Sequence, residues 1–192
     1  MKKLLTLLVI AGSLALQGCM TYSHNTLPQV EQWPLSSSLQ TKPTAYIKVQ
    51  TAYSVNGTPS ASNPNIAKLE NLIKQGFIDS GRFSQVSTEQ EASDVYVTVT
   101  LQNQETGNLG LAMLTGATFF LIPGTFDNTF VMDMMFRDGE GKKLGRVQKQ
   151  EKLTTWMHLF LVFALPFNES ADPLLTELTK SNLEEAARKN LI

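Results

Sequence analysis

The sequence predicts an α+β fold: a mainly antiparallel sheet of about five strands with two helices packed on it, in the order β-α-β-β-β-β-α. Residues 95–101 alternate between apolar and polar side chains, which is typical of a strand with one buried face. Turn residues at 138–141 lie between two further strand-like segments. Asx-Pro pairs at 63–64 and 172–173 precede segments with helical apolar spacing. Helices packed on one sheet would bury all of these apolar faces.

The first half of the domain is predicted as strand, helix, strand, strand. Residues 46–50 alternate as the first strand, and Asn63 and Pro64 form a favourable helix start. The apolar stripe of that helix consists of Ile66, Leu69, Leu72, Ile73 and Phe77. Gly81 is placed to end the helix in a left-handed conformation. A short strand at 83–86 and the strand at 95–101 follow.

The second half is predicted as a hairpin and a C-terminal helix. Residues 129–137 form its first strand, and residues 144–153 return as a more polar strand that suits a sheet edge or a solvated face. The final helix is expected to start with Asp172 as cap and Pro173 at its first position. Its apolar positions are Leu174, Leu175, Leu178, Leu183, Ala186 and Ala187.

The N-terminus carries the most specific motif of the chain. Lys2 and Lys3 precede an apolar run at 4–16 that is too short to span a bilayer, and Leu16-Gln17-Gly18-Cys19 follows. This arrangement resembles a bacterial lipoprotein precursor, with 16–19 as the lipobox. The resemblance implies cleavage between Gly18 and Cys19, S-diacylglycerol on Cys19 and acylation of its freed amine. The alternative is that Cys19 is an incidental or buried thiol.

The lipoprotein interpretation sets the domain boundaries and the expected location. We predict a signal peptide at 1–18, a lipidated tether at 19–43 and a single α+β domain at 44–192. Met20, in place of an aspartate, indicates an outer-membrane protein on the periplasmic face, given a Gram-negative host. Loss of two signal-peptide lysines takes Lys+Arg from 16 to 14 against 17 Asp+Glu, a charge of about −3. No basic stripe indicates nucleic-acid binding.

Two apolar insertions, at 109–124 and 155–167, stand where polar loops are expected. If the three strands around them are antiparallel neighbours, both insertions project from the same end of the sheet. They are either short buried segments that close the core, an exposed platform for a partner protein or lipid, or a membrane hairpin. The candidate contact residues are Phe119, Phe120, Trp156, Phe160 and Phe163. We expect substitutions by polar residues to show that Phe120 is buried and that the loop around Trp156 is exposed.

The sequence contains no recognisable catalytic or metal-binding motif. His24 and His158 are the only histidines, and neither has metal-ligand spacing or a nucleophile elbow beside it. We therefore predict a non-enzymatic, membrane-anchored envelope lipoprotein without a cofactor, which binds a partner protein or lipid through the two insertions. The alternatives are a periplasmic binder of a hydrophobic ligand or lipid and, third, an envelope hydrolase.

The rest of the chain is loosely similar to small uncharacterised proteobacterial envelope lipoproteins. The similarity rests on Gly81-Arg82-Phe83, Asp94-Val95 and Thr155-Trp156. Such proteins bring no assigned activity to this chain.

Overall fold

The computed structural model describes residues 19–36, 41–62, 64–161 and 170–192. Within these ranges the chain forms one seven-stranded sheet and three helices. The strands are β1 (Cys19–Ser23), β2 (Thr44–Val55), β3 (Thr58–Pro59), β4 (Gln85–Ser87), β5 (Val95–Gly107), β6 (Gly124–Asp138) and β7 (Lys143–Met157). The helices are α1 (Ile66–Asp79), α2 (Leu109–Ala117) and α3 (Ala171–Arg188).

The sheet is mixed but mostly antiparallel. Its strand order is β1-β7-β6-β5-β2-β3, and β4 pairs with one end of β2. β5, β6 and β7 form an antiparallel meander, whereas β2 runs parallel to both β5 and β4. The predicted α+β class is confirmed. The predicted count of five strands and two helices is too low, because β1, β3 and α2 were not predicted. The predicted element order is therefore corrected as well.

The core lies between one face of the sheet and helices α1 and α3. Alternation places Val97, Val99, Met134 and Phe136 on this face, each at most 1% exposed. From the helices, the large apolar side chains that are fully buried are those of Ile73, Phe77, Leu178 and Leu183. Burying one such side chain contributes about 1.5–3 kcal/mol to stability. The apolar alternation and the helical stripes therefore determine this layer.

The helix ends agree with the sequence in part. Asn65 caps α1 by accepting a hydrogen bond from the Lys68 backbone N–H at 3.0 Å, while the predicted cap Asn63 lies outside the described residues. Gly81 has φ +71°, the left-handed conformation predicted for the end of this helix. α3 begins two residues earlier than predicted, with Ser170 as N-cap, so Asp172 lies in the first turn.

Strand β7 is flanked by strands on both sides only at 153–157, where β1 pairs with it. Along 143–152 no strand lies on its outer side among the described residues, which agrees with the predicted sheet edge. Its Glu151 is only 3% exposed, and one carboxylate oxygen accepts the backbone N–H groups of Thr26 at 2.7 Å and Leu27 at 2.9 Å. These donors come from the segment after β1 and satisfy the buried carboxylate, so a chain segment without strand pairing covers Glu151 on this edge of β7.

The predicted tether at 19–43 is also corrected over its described part. Cys19–Ser23 form edge strand β1, and Leu27, Trp33 and Leu35 pack against the core. Backbone pairing with β7 and apolar burial together stabilise this segment on the domain. Cys19 is therefore held in the sheet instead of at the end of a free linker.

We expect Glu151→Gln to loosen the segment at 24–27. A neutral amide accepts hydrogen bonds more weakly than a carboxylate, so the free energy of unfolding should fall by about 1–3 kcal/mol. Limited proteolysis and thermal unfolding would measure it, with Glu140→Gln in the exposed 138–141 turn as the control. Equal protease resistance of the two variants would contradict a docking role for Glu151.

Candidate functional site

The two apolar insertions and Cys19 lie at the same end of the sheet. Cys19 pairs with Met157 across β1 and β7, and Met157 pairs with Gly124 across β7 and β6. Helix α2 precedes β6 at this end, as the strand connectivity predicts. We call residues 109–122 and 156–161 the apolar cap.

Helix α2 is held to the sheet by very few contacts. Asn108 caps it by accepting from the Leu111 backbone N–H at 2.9 Å. Thr115 is the buried residue of the helix, and a Cβ added at Gly124 would come within 2.6 Å of the Thr115 hydroxyl oxygen. Glycine at 124 thus permits the close approach of helix and strand. The rest of α2 directs its apolar side chains outward, with Leu109 and Met113 each 66% exposed.

A tight turn after α2 presents aromatic rings to solvent. Phe119 and Phe120 both have left-handed backbones, with φ of 50° and 63°, an uncommon conformation for bulky residues. Phe119 is 81% exposed, while Phe120 is half-buried. The Phe120 carbonyl accepts a hydrogen bond from the Leu159 backbone N–H at 2.9 Å, which joins the two parts of the cap.

The second part of the cap is equally apolar. Trp156, 43% exposed, stands beside its register partner Met20 in β1. Phe160 is 66% exposed, and its ring lies 5.4 Å from that of His158. The structure thus places Cys19, Phe119, Phe120, Trp156 and Phe160 at one end of the sheet. The other two predicted site residues, Gly18 and Phe163, lie outside the described ranges.

The cap carries no formal charge on an acidic or basic side chain. The sequence has no Asp, Glu, Lys or Arg between Glu105 and Asp127, or between Lys152 and Glu169. The charged residues next to the cap along β6 and β7 include Asp127 and Lys152, whose carboxylate oxygen and Nζ form an ion pair at 2.6 Å. Burial tends to raise the pKa of Asp127, but the hydrogen bonds from Lys152 and Thr154 bring that pKa below its ordinary value. A charged rim therefore borders the uncharged cap.

A polar network that the sequence analysis missed fastens β1 near the cap. Thr154 donates to Asp127 at 2.6 Å, and His24 Nε2 lies 2.7 Å from the Thr154 hydroxyl. Since the hydroxyl proton is directed at Asp127, His24 supplies the proton of the second bond. This arrangement fastens His24 to β7 without activating the hydroxyl as a nucleophile. His24 makes this hydrogen bond while its side chain remains exposed.

The chemistry available at this end of the molecule is acylation and apolar contact. Partial burial raises the pKa of the Cys19 thiol. No group of metal-ligating side chains occurs within residues 19–36, 41–62, 64–161 and 170–192. In the same described residues, no helix has the length and apolarity needed to cross a membrane. The site is thus a half-buried thiol beside an exposed, uncharged apolar surface.

Comparisons with known proteins identify no family for this chain. Neither a protein-family model nor a curated protein matches it. PelC from Paraburkholderia phytofirmans, solved as a dodecamer, is 6% identical over 86% of this chain and 94% of that chain, with a TM-score of 0.40. A DUF4136 family protein from Bacteroides thetaiotaomicron is 8% identical over 91% and 99%, with a TM-score of 0.32. Likenesses this low support no argument about function.

Proposed function

We propose that this protein is a non-enzymatic envelope lipoprotein, anchored to the outer membrane through acylated Cys19, whose apolar cap contacts lipid of the same membrane. The observation that carries the proposal is the convergence of Cys19 and the exposed, uncharged cap at one end of the sheet. A partner protein at that membrane surface is the second occupant to be tested.

The position of Cys19 in strand β1 favours lipid as the occupant. Acyl chains on Cys19 would start directly beside the cap, because residues 19–23 are paired to β7 and leave no slack between anchor and domain. Two or three chains make a durable anchor, since each buried methylene contributes about 0.8 kcal/mol. Insertion of these chains would bring Trp156 and Phe160 to the membrane surface. Exposed apolar patches of this kind mark lipid or protein contacts.

The alternative of a closed pocket for a hydrophobic ligand receives less support from the cap. A closed pocket requires the two insertions to direct their side chains towards each other. Instead Leu109, Phe119 and Phe160 are each at least 66% exposed.

The test compares vesicle binding with folding. In a mature chain carrying Cys19→Ser, we expect Phe119→Ser with Phe160→Ser to weaken co-sedimentation with phosphatidylethanolamine–phosphatidylglycerol vesicles more than tenfold. Each ring removes about 1.5–3 kcal/mol of apolar transfer energy, and 1.4 kcal/mol corresponds to a factor of ten. The unfolding midpoint should change little, because both rings are exposed in the folded state.

The matched control is Ile78→Ser with Leu144→Ser, which removes two exposed apolar side chains outside the cap. It should leave vesicle binding unchanged. With Trp33 replaced by phenylalanine, brominated lipids should quench the remaining Trp156 fluorescence. A large drop in midpoint for the cap variant, or vesicle binding that survives it, would contradict the proposal. Absence of quenching in a lipidated protein would favour a protein partner.

A further inference from the structure

The outer edge of strand β2 is open over its middle. β4 pairs with β2 only at 44–46, and β3 pairs only at 54–55. Residues 47–53 therefore have no strand on their outer side among the described residues. Lys48, Gln50, Thr51 and Ala52 are exposed along this stretch. Because the Tyr53 carbonyl is already paired with the Ser60 N–H, the open recess covers 47–52, about six residues or roughly 20 Å at 3.3 Å per residue.

The direction of the backbone groups in the recess follows from their neighbours. The Tyr53 carbonyl accepts from the Ser60 backbone N–H at 3.0 Å on the outer side, and the Asn56 N–H donates to the Glu105 carbonyl at 2.8 Å on the inner side. Because N–H and C=O groups alternate between the two sides of a strand, odd-numbered residues point outward. Val49 and Thr51 therefore direct their N–H and C=O groups into the recess.

A groove of about 540 Å³ opens beside this edge. Both Thr51 and Ala52 line this groove. Because adjacent residues of a strand face opposite sides of the sheet, the groove must extend around the edge of β2. Its apolar lining includes Leu69, Leu72, Leu101 and Phe130. Asn103, register partner of Phe130, also lines it, and its buried Oδ1 has no hydrogen-bond partner among the described residues.

We propose that this recess binds an extended segment of another protein, about six residues long, by strand addition between β4 and β3. The backbone of the segment would pair with the outward groups of Val49 and Thr51. Its side chains on the helix-covered face would enter the groove against Leu69 and Leu72, so they are apolar at alternate positions. Side chains on the other face lie near Lys48 and Gln50 and are polar or acidic. This mode couples main-chain pairing with pockets for alternate side chains.

A second copy of the chain fits this edge poorly. Its own β2 is equally recessed between β3 and β4, so two such edges cannot meet in one plane without collision of the flanking strands. Lysine on an edge strand, here the exposed Lys48, is also a known device against self-pairing. A separate, short extended segment satisfies the geometry without either obstacle.

The experiment uses the mature chain with Cys19→Ser and a phage-displayed pool of random seven-residue peptides. We expect selected peptides with apolar residues at alternate positions. In the free protein, hydrogen exchange should be fast at the Val49 and Thr51 amides and slow at Gln50 and Ala52, which face β5. Adding a selected peptide, synthesised with a fluorescent label, should protect Val49 and Thr51.

Thr51→Pro, which removes one outward N–H, should weaken peptide binding at least tenfold, whereas Thr51→Val should not. If Thr51→Pro unfolds the protein, N-methylated peptides provide the test instead. Methyl groups on the backbone nitrogens that face β2 should abolish binding, whereas methyl groups on the nitrogens of the opposite edge should not. The proposal is overturned if no peptide is selected, if methylation of both edges is tolerated, or if the Val49 and Thr51 amides are already protected. Protection that appears only with concentration-dependent dimerisation would also overturn it, in favour of a second copy.

Discussion

Replacement of Cys19 by serine is expected to abolish incorporation of a palmitate analogue and to leave the precursor uncleaved. Serine lacks the thiol that, under the proposed function, would form the thioether to diacylglycerol, and Cys19 is the only cysteine of the chain. The fold should be unaffected, because Cys19 takes part in the sheet through its backbone pairing with Met157. Metabolic labelling and immunoblotting for precursor size measure the first two consequences, and thermal unfolding measures the third.

The matched control for this variant is Met20→Leu, which changes the neighbouring residue and keeps the thiol. It should be labelled and processed like the natural chain. Persistent labelling of the Cys19→Ser protein would refute the lipoprotein proposal, since no other thiol exists to carry the lipid. That result would leave the peptide-binding proposal for β2 untouched, because the recess is far from the chemistry of Cys19 and is tested in unlipidated protein.

Replacement of Arg82 by methionine is expected to lower the stability of the domain by about 3 kcal/mol. Arg82 is 8% exposed, and its guanidinium donates to the backbone carbonyls of Ser36 at 2.6 Å and of Ile192. Hydrogen bonds to charged groups contribute about 1.5–3 kcal/mol each, part of which offsets the desolvation of the arginine. For a chain of this size the unfolding midpoint should fall by roughly 6–12 °C.

The control for Arg82 is lysine at the same position. The lysine ammonium group is a point charge without the planar fork by which the guanidinium reaches both carbonyls. Arg82→Lys should therefore recover only part of the stability that Arg82→Met loses. Thermal and urea unfolding measure the series. Equal midpoints for the natural chain and Arg82→Met would show that the two carbonyls are satisfied without the guanidinium.

Local sequence patterns determined the elements of the central layer. Alternation at 95–101, the turn at 138–141 and the helical stripe that includes Ile73 and Phe77 predict β5, the β6–β7 hairpin and α1, because period and turn chemistry act over a few residues. The lipobox-like motif and the two uncharged insertions are likewise visible in the sequence. Connectivity alone also indicated that both insertions leave the same end of the sheet.

Only the tertiary structure decided how distant segments meet. The sequence predicts a tether where β1 forms because the pairing of β1 is non-local: the Thr21 and Thr155 hydroxyls meet at 2.9 Å across 134 residues. The polarity of 144–153 does not indicate that Glu151 is buried, because the N–H groups that satisfy its carboxylate come from 26–27. Exposure of Phe119 and Phe160, the position of Cys19 beside them, and the recess along β2 depend on which surfaces remain uncovered after packing. Local propensity carries no information about such uncovered surfaces, since hydropathy is the same for a buried and an exposed phenylalanine.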